Sequence, residues 1–195
     1  YMLAIQYFNQ AINAKPYLAQ PYFFRAIAKL NLDDFLGAEE DATAAIDRNP
    51  FIADAYEVRG VARQNRGRFA EAVSDYDSAL RLVAKSRGLL FNKALAQQEL
   101  NWTDSAMVSF NHLLEEFPNF ENGYIGRARL YLQQGDTVAA RADIDRALEL
   151  NKNLANGYLL RADIAINSAR DFESAFNDMN EAIRLQPREP GLYIN

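Results

Sequence analysis

Tyr56-Glu57-Val58-Arg59-Gly60-Val61-Ala62, followed by Gly67-Arg68-Phe69-Ala70-Glu71-Ala72 and Asp75-Tyr76-Asp77-Ser78-Ala79-Leu80, recurs along the chain at an offset of 34 residues. Tyr22, Tyr56, Leu90 and Tyr124 fall in register, as do Arg25, Arg59, Lys93 and Arg127. Ala38, Ala72, Ala106 and Ala140 form another column, and Pro16, Pro50, Ala84, Pro118 and Lys152 a fourth. A fixed period of this length belongs to stacked supersecondary units rather than to one globular core.

Each unit is numbered so that the tyrosine of Tyr-x-x-Arg stands fourth. Full units then occupy 19–52, 53–86, 87–120 and 121–154 of a single array spanning 1–195. Residues 1–18 are the second half of a truncated unit: Tyr1, Ala4, Phe8, Ala11 and Pro16 match Phe69, Ala72, Tyr76, Ala79 and Ala84 at a shift of 68. The fifth unit, 155–189, carries one extra residue, because Ala175 lies 35 after Ala140. Residues 190–195 begin a further helix, with Tyr193 fourth.

Within a unit, apolar residues recur three and four apart in two runs. In the second unit this predicts helices over Ala53–Asn65 and Phe69–Leu82, broken by Gly67. Pro50 and Pro118 mark the ends of second helices, since proline cannot continue a helix. Ala26, Gly60, Ala94, Ala128 and Ala162 at the eighth position face the alanines at the twentieth. Small residues there let two helix axes approach to about 8–10 Å.

These columns resemble the tetratricopeptide repeat (TPR) family over essentially the whole chain. The aromatic at position four, small residue at eight, alanine at twenty, aromatic at twenty-four, alanine at twenty-seven and proline at thirty-two carry the likeness. It implies an all-α fold: a right-handed α-solenoid of stacked antiparallel helix pairs, about five and a half repeats, whose first helices line a concave groove. The third unit departs from the pattern, with Ala84 before it, Leu90, Asn101-Trp102 in place of the glycine turn, and Leu113. It is expected to be the least regular joint. The extra residue of the fifth unit falls near Ser168-Ala169-Arg170, where a turn can absorb it.

Composition narrows the function. Twenty-one basic and 26 acidic residues give a net charge of −5, which argues against tracking a phosphate backbone, so no nucleic acid is expected. Nothing approaches the ~18–20 uninterrupted apolar residues of a membrane span. The segment reads as soluble, in a cytoplasm or a periplasm alike. With no cysteine there is no disulfide, thiolate metal site or cysteine nucleophile. His112, the single histidine, stands on an outward second-helix position without partners at catalytic or metal-ligand spacing. No nucleophile elbow or phosphate loop occurs. No enzyme, metal or cofactor is expected.

The cations at position seven come with their own counterions. Arg25, Arg59, Arg127 and Arg161 accompany Asp41, Asp75, Asp143 and Asp178 at position twenty-three, and in the third unit both change together, to Lys93 and Ser109. With the turn near position fifteen these positions lie side by side, which predicts structural intra-repeat ion pairs rather than an arginine ladder for an acidic ligand. Arg59, Arg63 and Arg66 share one helical stripe beside Arg68; pairing of Arg63 and Arg66 with Glu71 or with the adjacent unit outweighs an anion site.

The resemblance implies ligand contacts at positions two, five, nine, twelve and thirteen of the first helices. Phe23, Ile27, Leu30, Glu57, Val61, Phe91, Leu95, Gln98, Ile125 and Arg129 are the candidates for a peptide-binding groove. The lysine and asparagine pair that chaperone-binding members use for a C-terminal carboxylate is missing at five and nine. An apolar or amphipathic segment fits this lining, with Phe23, Phe91 and Ile125 as anchors. The expected function is a non-catalytic protein-interaction scaffold. Its rivals are a substrate-recruiting or regulatory region of a larger enzyme and a module that self-associates through exposed repeat ends, the segment being expected to belong to a longer protein.

Overall fold

The structure, a computed structural model, describes residues 1–186 and is helical throughout them, with no strand among the described residues. The expected helix start at 190–195 and the last residues of the fifth unit lie outside them. The elements are α1 (Met2–Ala14), α2 (Ala19–Leu30), α3 (Phe35–Arg48), α4 (Ala53–Asn65), α5 (Phe69–Leu82), α6 (Arg87–Glu99), α7 (Thr103–Glu116), α8 (Glu121–Gln133), α9 (Thr137–Leu150), α10 (Ala155–Ile164) and α11 (Phe172–Leu185). They gather into two compact units, one from Tyr1 to Ser109 and one from Phe110 onward, divided inside α7. The divide falls in the third repeat, where the sequence departs from its own pattern.

In the first unit α2 packs on α3 and α4 on α5, each pair built on small residues. Ala26 packs with Ala42 of α3, and Ala26, Ala38 and Ala42 are all fully buried. In the second repeat Ala72 and Ala79 of α5 cluster with Tyr76, whose ring meets Gly60 of α4. Burying alanine costs almost no side-chain entropy and lets backbones come close. The second unit repeats the plan: Ala128, Ala140, Ile144 and Ala147 form one core, Ala162, Ala165 and Ala175 another.

The turn between paired helices has one backbone signature. Asp33, Gly67, Asn101, Gly135 and Arg170 all have positive φ, from 51° to 79°. In the first four repeats this left-handed residue lets the next N–H reach the carbonyl five residues back, as from Asp34 to Lys29 and from Asp136 to Tyr131. In the fifth the closing bond runs six residues, from the Asp171 N–H to Ala165 at 2.9 Å. The extra residue is taken up by a single π-helical stretch, Ala165–Ala169, that ends α10. Asp34, Asp136 and Asp171 then cap the second helices, accepting from the N–H of Gly37, Ala139 and Ser174.

Candidate functional site

The Tyr-x-x-Arg motif builds a brace on the first helices that carry it, α2, α4, α8 and α10. Tyr22, Tyr124 and Tyr158 donate their hydroxyls to the carbonyls of Pro16, Pro118 and Lys152, six residues back, at 3.1–3.3 Å. One turn on, the guanidinium lies over the ring, with Arg25, Arg59, Arg127 and Arg161 centred 5.5–5.7 Å from Tyr22, Tyr56, Tyr124 and Tyr158.

Each of these arginines also grips an aspartate of its own repeat. Arg25 Nε donates to Asp41 at 2.7 Å and Arg59 Nη2 to Asp75 at 2.7 Å. Arg127 and Arg161 hold Asp143 and Asp178 at two points each, at 2.7–2.8 Å. Hydrogen bonding to these carboxylates holds Arg25, Arg127 and Arg161 above the ordinary guanidinium range, against the opposing effect of burial.

The other arm of the same side chain reaches back 16 residues. Arg25 Nη1 bonds Asn9 at 2.6 Å, Arg127 Nη1 bonds Asn111 at 2.8 Å and Arg161 Nη1 bonds Asp145 at 2.7 Å. Arg59 approaches Thr43 at 3.4 Å, and Lys93 pairs with Asp77 at 2.6 Å. The position-seven cation therefore ties its own pair together and fastens it to the previous repeat. Sequence reasoning missed this second arm. Its signal was a further polar column, Asn9, Thr43, Asp77, Asn111 and Asp145, in the same 34-residue register. In the third repeat Lys93 keeps only the backward arm, and Ser109 donates to the buried Gln97 side chain at 2.7 Å.

The arginine cluster is internally spent. Glu39 of α3 accepts from Arg63, Arg66 and Arg68, while Arg63 also bonds Asp75 and Arg68 also bonds Glu71. Burial alone would raise the Glu39 carboxyl; the hydrogen bond from Arg63 and the fields of Arg63, Arg68 and Arg66 outweigh it and hold the group below its usual range. His112 is exposed. Among the described residues no three metal-ligating side chains gather, and no helix is long and apolar enough to cross a membrane.

With the cations turned away, α2, α4 and α6 of the first unit share a different face. Phe23, Ile27, Leu30, Val61, Phe91, Leu95 and Gln98 are each half-buried there. Phe23 tilts against the exposed Phe24 at 5.2 Å, and Phe24 stacks on Phe8 at 6.0 Å. Glu57 is half-buried too, and burial first, then the charge of Asp54, pushes its carboxyl above the usual range. In the second unit Arg129 is exposed, while Ile125 is only 3 % exposed and belongs to the core around Ile144 and Leu148. Its anchor position is occupied by the protein's own packing.

The tetratricopeptide repeat family model matches residues 25–100 and 125–190. Mouse (Mus musculus) tetratricopeptide repeat protein 16 is 28 % identical over 139 residues, 62 % of this chain but only 18 % of the length of that protein. Among solved structures, YrrB, described as a TPR protein with an unusual peptide-binding site, superposes with a TM-score of 0.73 at 18 % identity over 95 % of this chain and 94 % of its own. A tetratricopeptide repeat protein of Parabacteroides merdae gives 0.71 at 24 % identity over 96 % and 73 %. The Pseudomonas aeruginosa protein pilF gives 0.77 at 19 % identity over 93 % and 82 %. Such arrays of helix pairs are protein-interaction modules, and this chain belongs to the tetratricopeptide repeat family.

Proposed function

We propose that the chain is a non-catalytic scaffold that holds an extended or helical segment of a partner protein against the first-helix face of its N-terminal unit. The observation that carries this is the division of labour on α2, α4 and α6. Their position-seven cations are consumed by internal pairs, and the other side of the same helices keeps a half-open apolar strip including Phe23, Val61 and Phe91. Such a strip suits side chains spaced along a bound segment. The peptide-binding site of YrrB, which is similar in fold, is in keeping with this use.

A pull-down from lysate of the native host, comparing wild type with Phe23→Asp/Phe91→Asp, tests it, with circular dichroism confirming that both are folded. A partner kept by the wild type and lost by the folded double variant supports the face as the working surface. A partner retained by both moves the site elsewhere on the molecule.

A further inference from the structure

Six carboxylates of the first unit are buried or half-buried: Glu39, Asp41, Glu57, Glu71, Asp75 and Asp77. Five of them hold a cation of the protein itself, namely Glu39 and Glu71 with Arg68, Asp41 with Arg25 and Lys29, Asp75 with Arg59 and Arg63, and Asp77 with Lys93. Glu57 is the exception: among the described residues no cation or hydrogen-bond donor meets its carboxylate. It also stands on the other side of α4 from Arg59 and Arg63, on the face assigned above to the partner.

The surroundings suit a guest cation. At positions two, five, nine, twelve and thirteen of α2, α4 and α6 there are three acids, Asp54, Glu57 and Glu99, and no lysine or arginine. On the next first helix, α6, Gly88 faces Glu57, and a Cβ there would come within 3.3 Å of its Oε1. Glycine thus leaves clear the flank of the carboxylate that any other residue would crowd. Val61 stands one turn along α4, and Phe91 one turn beyond Gly88 on α6. A long basic side chain can lay its methylenes on such apolar surface and bring its head to the acid. A carboxylate held partly out of water without a partner is unfavourable until one arrives, so pairing there favours the bound state.

Resting on the reading of this face as the partner site, we propose that it selects a protein segment carrying a lysine or arginine between apolar residues, and that Glu57 receives the cation. The probe is a phage-displayed library of random dodecapeptides selected on the wild-type protein. Fluorescence anisotropy then compares the enriched peptides on wild type, Glu57→Gln, Phe23→Asp and Glu40→Gln, the last removing an exposed charge on α3 outside the face. The expected result is enrichment of Lys or Arg among apolar residues, affinity about tenfold weaker for Glu57→Gln and unchanged for Glu40→Gln. Gln98→Lys, which adds a cation to the face while keeping its apolar residues, gives the same loss if Phe23→Asp does not fold.

Peptides without a basic residue, or bound equally by Glu57→Gln yet lost by Phe23→Asp, overturn the cation inference and leave the face as the site. Peptides that Phe23→Asp and Gln98→Lys both bind like wild type, or a library that yields none, overturn the site itself and this inference with it.

Discussion

Arg127 and Asp143 are joined at two points across α8 and α9, Nε to Oδ2 and Nη2 to Oδ1, both at 2.7 Å. The planar guanidinium fork matches the carboxylate edge, a geometry that lysine does not offer. Asp143 is 6 % exposed, so this pair lies nearer the buried than the surface limit. Asp143→Ala strands a half-buried guanidinium and should cost about 2–4 kcal/mol. The paired apolar replacement Arg127→Met/Asp143→Leu should cost less than the single change, since it leaves no unpaired charge. Hydrogen-exchange protection of α8 and α9 measures both. A single variant within experimental error of wild type would show that the brace sets geometry without adding stability.

Gly60 is matched to Tyr76. A Cβ on Gly60 would lie 2.6 Å from Tyr76 Cε1, inside contact distance, although other repeats carry alanine at that position. The first and fourth repeats carry smaller residues across the helix pair: Ala26 packs with Ala42, and the Ile144 that answers to Tyr76 clusters with Ala128. Gly60→Ala should therefore destabilise by about 1–2 kcal/mol, the overpacking outweighing the better helix propensity of alanine. Adding Tyr76→Leu should recover part of that loss despite the cavity risk. Thermal melts of the single and double variants decide it.

Two glutamates should respond to acid with opposite signs. Glu39 has a lowered carboxyl pKa when folded, so its stabilising contribution is fully present above the unfolded value of 4.5 and is lost as pH falls through the folded value. Glu39→Gln should be less stable than wild type at neutral pH, with the gap closing in acid. Glu57 is raised, so the folded chain binds its proton more tightly than the unfolded chain, and wild type loses stability as pH rises from 4.5 through the folded value. Glu57→Gln should be the more stable protein at neutral pH, and that advantage should vanish in acid. Urea titrations of the three proteins across this window test both. The second outcome would also fit a residue kept for binding at the expense of stability.

The left-handed turn residue gives a backbone prediction. Arg170 holds φ 51° and ψ 33° at the end of α10, a conformation that costs a residue with a Cβ about 1 kcal/mol. Arg170→Gly should raise stability by up to about that amount. Gly135→Ala, at φ 79°, should lower it by a similar or larger amount. Shifts of melting temperature in the same directions would show that the fourth repeat and the fifth, with its inserted residue, both need this turn.

Much of the site was legible as columns. The second-unit helices run Ala53–Asn65 and Phe69–Leu82, where the three-and-four spacing put them. Arg25, Arg59, Arg127 and Arg161 meet the aspartates set beside them by the 34-residue register. Ile125 was not legible. It shares position five with Phe23, Glu57 and Phe91, and only packing against the next helix pair makes it core rather than surface.

The sequence alone determined the repeat, the helix pairs, their small-residue contacts and the pairing of each arginine, because these follow from local spacing and recur with the period. The tertiary structure decided what the period does not carry. Glu39 gathers arginines from the following repeat, the fifth-repeat insertion becomes a π-helical turn, and Gly126 makes room for the Phe110 ring. It also decided that, among the described residues, Glu57 alone of the sequestered acids of its unit is left without a cation. Partners between repeats are chosen by three-dimensional fit and by which charges have already been used, and neither is written in one residue's neighbours along the chain.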